Sequence, residues 1–158
     1  MGNQVRSMEV RLGWLGGIYD GEGSFSVTSN PASKKQRNPF GQLQPKVTIW
    51  NTDQDIINEI MSILDDQRLT YFVYTRKPPI NGLSRKVGFS VEVHGMKRIV
   101  KMLPIMIPYL VGKKAKAIAL YNFVSSRLSR PPQSPYSNEE IAFANSARDI
   151  PLHACPET

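Results

Sequence analysis

A lone cysteine, Cys155, has nothing in the chain to pair with, which excludes an internal disulfide framework and fits a reducing intracellular compartment, cytoplasm or organelle. Histidine is nearly as scarce. His94 and His153 stand apart, without the spacing of a zinc-ligand pair, and are expected to be structural or exposed. No apolar run is long enough to cross a membrane, so no membrane partner is expected. Met1 to Arg11 carries neither the apolar core of a signal peptide nor an obvious transit pattern. Acidic residues are outnumbered, 13 against 20 Lys and Arg, for a net charge of +7. That balance suits a polyanionic partner without naming one. The 158 residues are enough for one domain with an adequate core.

What the chain does have is glycine, concentrated in one place: five of its 11 glycines fall between Gly13 and Gly23. In the same stretch Leu12, Leu15, Ile18 and Tyr19 keep the i, i+3, i+4 spacing of a helix, although each interior glycine costs about 1 kcal/mol. Gly13, Gly17 and Gly21, each four apart, line one face and leave a bare ridge on which a second helix can pack at backbone contact distance. Only one such segment exists, so the simplest partner is the same helix of a second copy in a two-fold homodimer. A glycine-rich turn after a short core helix is the alternative. Asp20 and Glu22 fall at the end of this helix, with Gly23 as a left-handed stop, and their charge opposes the macrodipole there. A bound cation would remove the conflict, and clustered carboxylates with open positions suit Mg²⁺. From spacing alone, two solvated acids at a helix end is the plainer reading.

Downstream, strand and helix signals alternate. Ser24 to Asn30 reads as a strand with Phe25 and Val27 inward, and Gln44 to Asn51 as another with Val47 and Ile49 inward. A polar loop with Lys34, Lys35 and Arg37 joins them. Thr52 or Asp53 caps a helix to about Gln67, with Ile56, Ile57, Ile60, Met61 and Leu64 as its core stripe. Thr70 to Lys77 is a third strand whose inner face is undecided, and Asn81-Gly82 turns into a fourth, Arg85 to Val93, burying Val87, Phe89, Val91 and Val93. A helix from Met96 to Met102 should break or kink at Pro104. The last long helix, Lys113 to about Arg130, packs through Ala117, Leu120, Tyr121, Val124 and Leu128. Pro131 to Pro135 is an extended linker, and Ser137 to Glu140 opens a short helix by a capping box.

This order predicts an α+β fold: a four-stranded antiparallel sheet with helices on one face. Its other face is polar. Ser26, Thr28, Asn30, Gln42, Gln44, Lys46, Thr48, Lys86 and Ser90 offer donors and acceptors of the kind that reading base edges in a major groove requires, although an ordinary solvent-facing sheet has the same look. Arg76, Lys77, Arg85 and Lys86 at one hairpin and Lys34, Lys35 and Arg37 at the other would flank that face with cations for phosphates.

The segment Leu15-Gly16-Gly17-Ile18-Tyr19-Asp20-Gly21-Glu22-Gly23, followed by Ser24-Phe25-Ser26-Val27, resembles the signature of the LAGLIDADG homing endonucleases. It matches at Leu15, Gly17, Ile18, Asp20 and Gly23, with conservative changes at Gly16, Gly21 and Glu22. Gly17-Ile18-Tyr19 also spells half the signature of the GIY-YIG nucleases, but the other half is absent and the match is accidental. The LAGLIDADG resemblance implies an αββαββα core over residues 6–130, with residues 131–158 as a C-terminal extension. It implies motif helices at a homodimer interface, a sheet that saddles double-stranded DNA, and a near-palindromic target cut on both strands.

Glu22 falls on the family's metal-binding position, usually an aspartate, so the resemblance implies a divalent ion, Mg²⁺ or another such as Mn²⁺, held by Glu22 and the carbonyl of Gly21. By the same resemblance Asn51 positions the water network, with Gln54 as a rival. Lys113 stabilises charge near the scissile phosphate, with Lys114 and Lys116 as alternatives. Two other roles share the same surface: an RNA-binding maturase acting on intron RNA, and a DNA-binding regulator that has lost the nuclease.

Overall fold

The computed structural model describes residues 5–30, 40–78, 80–82 and 86–148. Helix α1 (Met8–Glu22) starts at Ser7, whose hydroxyl accepts from the Val10 amide, and runs straight into strand β1 (Gly23–Asn30). Strand β2 (Gln42–Asn51), helix α2 (Gln54–Asp66), strand β3 (Phe72–Arg76) and strand β4 (Gly88–His94) follow. Helix α3 (Met96–Met106), a 3₁₀ turn (Ile107–Tyr109), helix α4 (Lys114–Leu128) and helix α5 (Asn138–Ser146) complete the order. The sheet is antiparallel throughout, in the order β1-β2-β4-β3. This is the expected α+β architecture.

Alternation decides the two faces. Phe25 and Val27 of β1, Val47 and Ile49 of β2, and Val91 and Val93 of β4 are buried and meet Leu15, Tyr19, Ile57, Ile60, Met102 and Leu120 from the helices in one core. Ser24, Ser26, Thr28 and Asn30 share the opposite face with Gln42, Gln44, Lys46, Thr48 and Trp50, because the register sets Ser26 against Lys46 and Thr28 against Gln44. Proline is unusual in a central strand because it lacks a ladder donor. Pro45 is tolerated because pairing to β4 begins only at Lys46.

Several expected boundaries and faces move. Helix α3 runs through Pro104 to Met106 instead of breaking at it: Ile99, Met102, Leu103 and Met106 form one continuous buried stripe, and the exposed proline costs only the ladder bond of the last turn. Val87, expected inside, lies before β4 and is exposed, as is Leu128 on α4. Phe123, not anticipated, is fully buried because α4 is covered on a second side by α5. In β3, register places Phe72, Tyr74 and Arg76 on the outer face and Val73 and Thr75 on the inner one. Val73 is nonetheless 42% exposed, so this edge strand carries no clear inner set.

The extension is part of the fold. Tyr136 is stacked beneath Arg127, with the guanidinium carbon 4.4 Å from the ring centroid, and its hydroxyl accepts from the Leu43 amide at 2.9 Å. Helix α5 opens with the predicted capping box between Ser137 and Glu140. Glu140 is fully buried and paired with Arg127 at 3.3 Å and with Arg130. Burial pushes its carboxyl up, but the Ser137 amide and the two arginines outweigh that and leave it below the ordinary glutamate range. Arg148 reaches the Val27 carbonyl on β1, an edge strand.

Candidate active site at the end of the glycine helix

Helix α1 ends with two carboxylates, and the fold treats them differently. Asp20 is half-buried and turns inward: its Oδ2 accepts from the Val111 amide at 2.7 Å and its Oδ1 from the Lys113 amide at 2.9 Å. These amides lead into α4, whose N-terminus carries the positive end of its dipole, so Asp20 trades an unfavourable helix end for a favourable one. Burial raises its carboxyl, yet backbone donors from Lys113, Val111 and Gly112, with the Lys113 charge, bring the net shift below the ordinary aspartate value. Asp20 is therefore a strut between α1 and α4. The partner amides lie more than 90 residues away in sequence, so no local pattern announces this role.

Glu22 is exposed, and its Oε2 accepts from Asn51 Nδ2 at 2.6 Å. Asn51, the last residue of β2, uses its Oδ1 for the Asp53 amide at 2.8 Å, so it both shapes the entry to α2 and orients Glu22. Gln54 is turned away to Asn58 at 2.9 Å. From the other side the half-buried Lys113 donates through Nζ to the Gly23 carbonyl, next in chain to Glu22. Lys114 is exposed and Lys116 half-buried on the following turn of α4. Asn51 thus meets the Glu22 side chain and Lys113 the carbonyl of the adjacent Gly23, from three separate elements, at the end of the sheet where β1 begins and β2 finishes.

Gly23 differs from expectation: its φ of −81° is extended, not left-handed. Glycine is needed there for space, because a Cβ would lie 2.5 Å from the Tyr19 ring. The ridge stays open, and the glycine beside it does not. Cβ atoms on Gly17 and Gly21 would meet nothing within 4 Å, and one on Gly13 only the edge of Tyr109 at 4.0 Å, whereas one on Gly16 would lie 2.4 Å from the Tyr109 carbonyl oxygen. Gly16 serves close packing inside the chain. Gly13, Gly17 and Gly21 remain exposed.

The donor chemistry fits a divalent cation. Glu22 leaves Oε1 without a partner among the described residues, and Gly21 lies in the last helical turn, whose carbonyls have no partner further along the helix. Both are hard oxygen donors. Among the described residues no three His, Cys, Asp or Glu cluster as a metal cage. A single carboxylate with water and phosphate oxygens is the way Mg²⁺ is commonly held.

The polar sheet face extends from this point. Ser26, Asn30, Gln42, Gln44 and Thr48 carry outward side chains, and Thr28 donates to the Gln44 carbonyl at 3.3 Å. Arg76, Lys77 and Lys86 are exposed near the β3–β4 turn. Ser90 faces this side but is fully buried and donates to Glu92 at 2.9 Å, so it is not a surface that a ligand can read. Lys34, Lys35, Arg37 and Arg85 lie outside the described residues. The sequence reading did not single out Trp50, which stands on this face 44% exposed and presses so closely on Gly88 that a Cβ there would lie 2.4 Å from its Nε1. Outward alternation in β2 was the available signal.

No family model matches the chain, and no curated protein matches it. Solved structures do. The homing endonuclease I-CvuI, in complex with the I-CreI target in the presence of 2 mM Mg, superposes with a TM-score of 0.62 at 20% identity, covering 89% of this chain and 79% of its own. The archaeal intron-encoded homing endonuclease I-Vdi141I, complexed with DNA, gives 0.66 at 14% identity, with 89% and 84% covered. The LAGLIDADG homing endonuclease I-LtrWI, bound to target DNA, gives 0.69 at 17% identity, covering 93% of this chain but 47% of its own. The chain has the LAGLIDADG homing endonuclease fold, and it spans about half of the longer relative.

Proposed function

We propose that this chain is a LAGLIDADG homing endonuclease that acts as a homodimer and cuts both strands of a long, nearly palindromic DNA site. The observation that carries the reading is the meeting of Asn51 with Glu22, and of Lys113 with the adjacent Gly23 carbonyl, at the tip of α1, bordering a sheet face of outward polar side chains. The exposed ridge of Gly13, Gly17 and Gly21 supports self-association, which would set two such tips side by side. Similarity in size to half of I-LtrWI supports the same arrangement.

Glu22 and the Gly21 carbonyl of each copy would hold the divalent ion, Mg²⁺ or Mn²⁺, which when bound lowers the pKa of a water and offsets charge on the phosphate. Asn51 fixes the Glu22 carboxylate by its amide, so the acid is oriented before DNA arrives. Lys113 supplies a positive charge beside Gly23 that would offset the charge gathering on phosphate oxygens. The sheet side chains would read base edges, and Lys77 and Lys86 would take phosphates.

Purified protein incubated with a randomised duplex library and Mg²⁺ should yield selective double-strand cuts. Glu22→Gln should lower cutting by about 100-fold or more while leaving binding to the selected duplex in place. Binding without cuts by the parent chain would refute the enzyme.

A further inference from the structure

At the centre of the polar face, where an interface would ordinarily present solvated cations, lies a buried carboxylate. Glu92 of β4 is 5% exposed although it points away from the core. Lys46 of β2 binds its Oε2 at 2.8 Å, Arg76 of β3 binds its Oε1 at 3.4 Å, and Ser90 donates to the same Oε1 at 2.9 Å. The three strands therefore meet at one acid. Burial pushes the Glu92 carboxyl up, but Lys46, Ser90 and Arg76 more than reverse this, so it stays ionised.

A buried carboxylate stripped of its partners is strongly unfavourable. Lys46 and Arg76 thus cannot leave Glu92 to follow a phosphate without exposing that cost. Both still have donors to spare, since an ammonium carries three N–H groups and a guanidinium five. Their side chains are 31% and 57% exposed on the outer face. Half of their charge is already answered from below, and their positions are fixed. Such groups are poor phosphate clamps and good directional donors.

We infer that Glu92 is a positioning residue for base discrimination: by holding Lys46 and Arg76 from within the sheet, it makes them fixed donors to purine acceptors in the major groove. The inference rests on the endonuclease reading above. Guanine, with its paired O6 and N7 acceptors, is the base that such donors favour.

The test is binding, without divalent ion, to the duplex recovered from the cleavage selection and to a scrambled duplex of equal composition, over a range of salt. Glu92→Gln should free both cations, steepen the log affinity against log salt slope by about 1–2, and reduce the preference for the selected duplex about tenfold. Arg76→Gln needs no buried acid to be replaced. It should lose about tenfold on the selected duplex, with little change on the scrambled one and an unchanged salt slope. If Arg76→Gln instead weakens both duplexes equally and flattens the slope by about 1, Arg76 is a phosphate contact and the inference falls, whether or not Glu92→Gln folds. Recovery of no preferred duplex at all would overturn the endonuclease reading and this inference together.

Discussion

Tyr19 shows what a single position can cost and what function hides. Its ring is fully buried against Phe25 at 5.7 Å between centroids, but its hydroxyl finds no hydrogen-bond partner among the described residues. Burial alone drives its ionisation far above the ordinary tyrosine value. An unsatisfied buried hydroxyl costs about 1–3 kcal/mol. Tyr19→Phe should therefore hold or raise stability by about 1 kcal/mol in urea unfolding, with cutting unchanged, and a clear loss would mean that the hydroxyl has a partner in the functional assembly. At this scale the sequence was uneven. The order of residues around Glu22 is distinctive enough to single it out, and resemblance singles out Asn51 and Lys113; the roles of all three belong to the proposed function. Asp20 could be read from spacing only as a second acid at the helix end. It is a strut because the amides leading into α4 reach the end of α1.

Elements were read well where one face is buried and poorly where none or two are. Strands β1 and β2 alternate cleanly and kept their expected faces, and α2 kept its cap at Asp53. β3 is an edge with little covering it, so its pattern carries no face. α4 is buried on two sides, which a single-stripe reading of its residues misses at Phe123. The covering element is α5, and Glu140 is its anchor. Glu140→Ala would leave Arg127 and Arg130 without their acid and remove half the capping box, so it should cost about 3–5 kcal/mol. A shift of less than about 1 kcal/mol in chemical denaturation would mean that residues 131–148 are a loose appendage.

For the whole molecule, the glycines of α1 separate folding from assembly. Gly16→Ala drives a methyl into the Tyr109 backbone within the chain and should destabilise it by about 1–3 kcal/mol. Gly17→Ala meets open space in the single copy and should fold normally, yet dissociate the proposed dimer at micromolar concentration in sedimentation. Retention of parental self-association by Gly17→Ala would remove the ridge from the interface. Sequence spacing put Gly13, Gly17 and Gly21 on one ridge and gave Gly16 no packing role; the path of the turn at Ile107–Tyr109 gives it one inside the chain.

Tyr136 on Leu43 and Arg148 on Val27 join segments separated by 93 and 121 positions. During synthesis the ribosome must therefore reach Arg148, 121 positions beyond Val27, before the first hairpin receives its flanking clasp. Until then that hairpin waits with a naked margin, exposed to wrong pairing with other nascent chains. Pausing translation between α4 and α5 should thus be the moment when a chaperone is most needed.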